Sequence, residues 1–514
     1  MSGSIDVPPV EMNFDAKLLI PSGATAVCTN AVTCAAQPGH IPVFEVETNA
    51  TVNIGGSAVF GNVDLRLFGR IEASGTNTFG WAAAGQTTYL EMLCDGATFA
   101  IPSRTVRNFA CPEEGGAVIV PSGRLVYRNC TVTPRNSNGF HLGNIGYRNP
   151  ANLPFVFEIS GCELDFGFNP CYVGGAANIL CVNGGSFGKF GENAHPGLYS
   201  WIQFVDSAKL TIGEGGQFLY SRGKDTLERL AFMPTAAGTE QVVLRDGGAI
   251  AMHVYNGNAQ GKAVVHVENL GYWDIPQLVK PNKDIPDVTD TRVWLSNLFN
   301  KFQEVNIDEY GTLYLRSASK LWGDEWNRDM LVADVPVTGA GDLCVTNDTP
   351  GYSLRVTMTS GRNTCTGNIS AAASADGTKL LFADGANWAG TVIAGENVSF
   401  TNLTGSAPSS VRFDSLRLDG NLAIRVWKDG GAFTNDMINI TSGISGSGLL
   451  VPQAVNGFAF KAGDRLAVGY CPSSASISPG VSKRWKLLKT ATGDPDVCRL
   501  ELLNDPSGMI LSFK

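Results

Sequence analysis

The stretch that most limits what this chain can fold into is Ser410–Trp427, SVRFDSLRLDGNLAIRVW. Val411, Phe413, Leu416, Leu418, Leu422, Ile424 and Val426 are set among Arg412, Asp414, Arg417, Asp419 and Arg425. Successive side chains leave a strand on opposite sides, so this alternation predicts strands with one buried face. Asp419-Gly420 tolerates positive φ and marks a turn between them. Upstream, the same kind of short apolar strand restarts after one Gly-Asp, Asn-Thr or Asp-Gly break after another. That is the look of a stacked β array.

Paired glycines carry the same message. Gly-Gly recurs at 55–56, 115–116, 174–175, 184–185, 215–216, 247–248 and 430–431, nearly always just ahead of an apolar strand. The steps from 184 to 215 and from 215 to 247 are 31 and 32 residues. A recurring turn-plus-strand unit of this size predicts a solenoid, in which each coil buries its face only against its neighbours. A β-sandwich also has many short strands, but it does not call for glycine pairs repeated over such a distance.

Composition narrows the class further. With 60 Gly and only 17% charged residues, the 514-residue chain is neither disordered nor helix-rich. Net charge is −9 with scattered Lys and Arg, so no basic stripe is offered to nucleic acid. No apolar run approaches the length of a membrane helix, and the opening MSGSIDVPPV has no secretory apolar core. No cofactor or metal is expected: Cys-x2-Cys, His-Glu-x-x-His and Asp-x-Asp-x-Asp-Gly patterns are all missing.

Five segments follow from the pattern. Residues 1–42 are Pro-rich and read as an N-terminal cap, 43–260 as solenoid coils, and 261–335 as an interruption. In that interruption Leu295, Leu298, Phe299 and Phe302 fall at helical spacing behind the capping residue Asp290, predicting one short amphipathic helix. The alternating array resumes over 336–460, and 461–514 reads as a C-terminal β cap hiding the last open edge.

At GAGDLCVTN, GRNTCTGNIS and GTKLLFADG the chain resembles the autotransporter-associated β-strand repeat, over about 339–445. The resemblance implies a right-handed parallel β-helix on a secreted or surface-displayed bacterial protein. It implies no catalytic residues, and it does not extend over the first 330 positions. No outer-membrane translocation barrel follows the repeat, a departure from classical autotransport.

Candidate site residues are few. Glu163 and Asp165 lie two apart on one strand face and would serve as general acid and base if one pKa were raised; a solvated outer face is the plainer reading. Trp273, Trp322 and Trp326 crowd beside carboxylates and Arg328 in the one segment that departs from the repeat. Rings and charges together suit sugar recognition, while packing of the helix onto the solenoid is the simpler account. Among 12 cysteines, the spacings Cys28–Cys34 and Cys471–Cys498 are compatible with local disulfides, and burial of the thiols as small hydrophobes is equally compatible.

The expectation is therefore an all-β, extracellular or cell-surface scaffold with structural, adhesive or glycan-binding duty, without catalysis. It would meet a polysaccharide or glycan, or further copies of itself as a homo-oligomer or filament. The alternatives are a polysaccharide-active lyase or hydrolase on the same scaffold, and a filament or coat subunit.

Overall fold

The computed structural model describes residues 4–12, 14–30, 32–35, 40–55, 58–61, 63–73, 77–79, 89–100, 122–133, 155–164, 171–173, 178–182, 184–188, 201–205, 208–220, 229–233, 236–252, 263–275, 299, 302–317, 328–347, 353–372, 377–403, 406–480 and 482–505. The protein is all-β, its sheets are mostly parallel, and no α-helix occurs among the described residues. Of the expected helix, Asp290, Leu295 and Leu298 lie outside the described residues; Phe299 and Phe302 are buried. The chain forms two compact units, Met1–Tyr272 with Lys301–Gln303, and Trp273–Asn300 with Glu304–Lys514.

Among the described residues of the first unit every strand pair is parallel, and strands well apart in sequence stack in order. Val43–Val46 pairs with Val63–Leu67, which pairs with Tyr89–Asp95, then Ser122–Arg128 and Phe155–Ser160. The period-two pattern puts one face inside, and the parallel register lines up like positions. Phe44, Leu65, Met92, Leu125, Phe157, Ile179, Leu210, Val242 and Val265 are successive register partners in one column. Phe44, Leu65, Phe157, Leu210, Val242 and Val265 of this column are buried, and each such side chain is worth roughly 1.5–3 kcal/mol. The outward positions carry exposed ion pairs, among them Lys17–Glu45 at 2.9 Å and Arg124–Glu158 at 2.8 Å.

The corners of this unit explain the glycine rhythm. Gly96, Asn129, Gly184, Gly215 and Gly247 adopt positive φ of 65°, 50°, 67°, 72° and 81°. Each donates its backbone N–H to a carbonyl of the next corner along, Arg128, Ser160, Glu214, Asp246 and Leu270, at 2.8–3.1 Å. The 31-residue and 32-residue steps between glycine pairs are thus the spacing of corners that bond to one another.

The second unit stacks in the same sense over most of its length. Leu313, Leu343, Ile369, Val392, Leu416, Ile444 and Ile477 form one column, and Leu331, Val356, Leu380 and Val398 another. Ser410–Leu418 and Leu422–Asp429 are strands with one buried face, but they do not pair with each other. Asp419-Gly420 is a corner between sheets rather than a hairpin. The alternation also slips by one between Phe413 and Ser415, where a bulge shifts the register. Among the described residues antiparallel pairing appears in two places: Leu422–Asp429 with Ala432–Asn435, and Val497–Asn504 with both Arg465–Pro472 and Trp485–Ala491.

Candidate functional site

The residues singled out from the sequence do not assemble into one site. Trp273 is 0% exposed and its ring meets Phe299 edge-on at 5.1 Å, so it offers no face to a sugar. Trp322, Trp326 and Asp165 lie outside the described residues, as do the side chains of Glu163, Arg328 and Cys34. Cys28, Cys471 and Cys498 carry free thiols, Cys28 and Cys471 buried, with Cys471 directly opposite Cys498 on adjacent strands. Burial likewise governs the thiols of the first unit: it pushes Cys130 up to about 12 and raises Cys94 and Cys162. These are packing groups, not nucleophiles.

The GAGDL and GRNTCTGN elements turn out to be joints. Asn363 is buried; its Oδ1 accepts from the Val337 N–H at 2.9 Å, and its Nδ2 donates to the carbonyls of Ser360 and Asn387 at 3.1 and 2.8 Å. Asn387 replies by donating to the Asn363 carbonyl at 2.9 Å. Cys365 is buried with Sγ 3.1 Å from the Gly341 carbonyl, and Asp342 accepts from the backbone and side chain of Asn368 at 2.7 and 3.0 Å. At Gly367 a Cβ would overlap the Gly341 carbonyl oxygen, so only glycine lets the strands approach there. Asp414 has the same kind of task at the bulge. Burial tends to raise its carboxyl, but the hydroxyls of Thr441, Ser442 and Ser415 outweigh that and hold it below the ordinary carboxylate value.

Beside the antiparallel strands lies a cleft of about 600 Å³ that no sequence motif announced. Ala432–Asn435 contributes Phe433 and Asn435, Arg465–Pro472 contributes Arg465, and Val497–Asn504 contributes Arg499 and Glu501. Next to Asn435, Asp436 is fully buried and gripped by Arg425 through its backbone N–H at 2.9 Å and its guanidinium at 2.9 and 2.8 Å, with the Ser409 N–H adding a fourth bond at 2.9 Å. That cluster fixes where Ala432–Asn435 leaves the stack. Asn435 is turned by its own bonds, Nδ2 donating to the carbonyls of Asp436 and Ala467 at 2.7 and 2.9 Å.

Glu501 is the centre of the cleft's charge. Its side chain is 5% exposed, with Arg499 Nη2 at 2.7 Å on Oε1, and Arg465 Nη1 at 3.3 Å and Thr490 Oγ1 at 2.9 Å on Oε2. Both oxygens are engaged, so Glu501 orients its arginines. The arginines themselves remain 58% and 44% exposed. Each holds one corner of its guanidinium to Glu501, and each side chain is open to solvent. Only the i, i+2 spacing of Arg499 and Glu501 was visible as local sequence; Arg465 and Thr490 arrive through strand register.

No family model matches the chain, and no curated protein matches it. Among solved structures, the crystal structure of the Haemophilus influenzae Hap adhesin is similar at 11% identity and a TM-score of 0.20, over 94% of this chain. The chain spans 64% of that adhesin's length. A likeness at this level leaves fold and role to be argued from the strands themselves. No helix among the described residues is long and apolar enough to cross a membrane.

Proposed function

We propose that both units are stretches of right-handed parallel β-helix, and that the chain is a noncatalytic scaffold shown at a bacterial surface or released from it, with an adhesive or glycan-binding role. The observation that supports this best is the stacking itself: like positions of successive strands form continuous columns, and polar corner side chains such as Asn363, Asn387 and Asp342 are engaged in bonds between strands. Side chains held in this way build a long repetitive face and leave little free for chemistry. Such faces suit contact at many points along a polymer. The resemblance of 339–445 to the autotransporter-associated repeat agrees, since its motif residues Asn363, Gly367 and Asn368 have structural tasks.

The test is a glycan-array screen of the purified chain, with reducing-end and unsaturated-product assays on every glycan it retains. Retention without product is the expected outcome. Product release from any retained glycan would replace the scaffold reading with that of a polysaccharide-active enzyme.

A further inference from the structure

We infer that the cleft at Phe433, Asn435, Arg465, Arg499 and Glu501 binds the carboxylate of an acidic sugar unit, such as a uronic acid within a polysaccharide. The inference rests on the glycan-binding part of the proposed function and gives it a place and a ligand class.

Charge sets the first limit. Two arginines against one buried glutamate leave the cleft with one net positive charge, in a chain whose net charge is −9. That balance matches a single monoanion. A phosphate dianion or a densely sulfated chain would bring excess negative charge against Glu501 and against the field of the whole protein.

Geometry sets the second limit. A guanidinium is a planar fork whose paired N–H groups match the two oxygens of a carboxylate. Glu501 already holds one corner of each fork, Arg499 Nη2 at 2.7 Å and Arg465 Nη1 at 3.3 Å, so the forks are oriented before a ligand arrives. Little side-chain freedom is then left to lose on binding.

The remaining wall points to a sugar rather than to a bare anion. Pro408 and the part of Phe433 that lines the cleft, its ring being also covered by Lys428 Nζ at 4.8 Å and packed on Phe458, give an apolar side for the C–H face of a sugar ring. Asn435 keeps Nδ2 on the Asp436 and Ala467 carbonyls, which leaves Oδ1 to accept from a sugar hydroxyl. A volume of about 600 Å³ holds two or so sugar rings and falls within the usual range for small-ligand sites.

The experiment is calorimetric titration of the full chain with an aldobiouronic acid, one uronic acid joined to one neutral sugar, and with its methyl ester, which keeps the sugar and removes the charge. Arg465→Gln and Arg499→Lys are titrated in parallel, each checked for an unchanged melting temperature. Wild type should bind the acid, lose the ester, and weaken about tenfold or more in each variant, Arg499→Lys because it keeps charge but loses the fork. Equal binding of acid and ester, or unchanged affinity in both variants, would overturn the cleft assignment while leaving glycan binding standing. Failure to bind any acidic or neutral glycan, here and on the array, would remove glycan binding itself and this inference with it. Displacement by sulfate or by N-acetylglutamate at the same concentration and ionic strength would show a general anion pocket and overturn the sugar.

Discussion

The two units join successive strands at their corners with a different balance of backbone and side-chain bonds, although Asp246–Asn269 in the first and Gly385–Ser410 in the second show each using the other's means. In the first, a residue at positive φ donates its backbone N–H to the next corner, as Gly184, Gly215 and Asn129 do. In the second, side chains take over much of that work: Asn363 with Asn387, Asp342 with Asn368, and Asp384 accepting from the Ser410 N–H at 2.7 Å. A backbone joint accepts any residue that tolerates the left-handed region, so it leaves a rhythm in the sequence. An amide joint needs one side chain that donates and accepts at once, so it leaves a motif. That is why 339–445 carries motif-like elements such as GRNTCTGN, whereas the first unit shows mainly its glycine spacing.

Substitutions would sharpen the contrast or break it. The largest effect is expected at Gly367, where a Cβ has no space against the Gly341 carbonyl. Gly367→Ala should lower the unfolding free energy in urea titration by more than about 4 kcal/mol, the range of mutations that displace backbone. Asn363→Ala comes next, at about 2–3 kcal/mol, because it leaves the Val337 N–H and the Asn387 carbonyl without their side-chain partner. A loss below about 0.5 kcal/mol would mean that water replaces the amide, and the joint would not be specific. Gly215→Ala in the first unit should cost least, about 1 kcal/mol, since nothing lies near the added Cβ and only positive φ opposes it. If Gly215→Ala proved as costly as Gly367→Ala by the same titration, the distinction between the two kinds of corner would fall.

The alternation of Val411 to Val426 was enough to place strands with one buried face, because that signal is local and survives any choice of neighbour. It did not reveal the bulge at Asp414, where the apolar positions slip by one to meet Thr441 and Ser442. Nor did it show that Asp419-Gly420 turns the chain into another sheet, because a short turn reads alike whether the next strand folds back or moves on. The cleft was less legible still. Trp273, a sugar-recognition candidate for which packing was the simpler account, is a core residue, while Arg465, Thr490 and Glu501 meet across separations of 36 and 11 residues with no local sequence signal.

What the sequence alone determined is the strand content, the outward and inward faces, and the corner spacing, all written in period-two hydrophobicity and in residues that reach positive φ. What only the tertiary structure decided is which strands lie side by side, and so which polar groups share a cleft. Register is a long-range property: a shift of one residue would carry Glu501, and Arg499 with it, to the other face and away from Arg465 and Thr490. No local pattern in the chain encodes that choice.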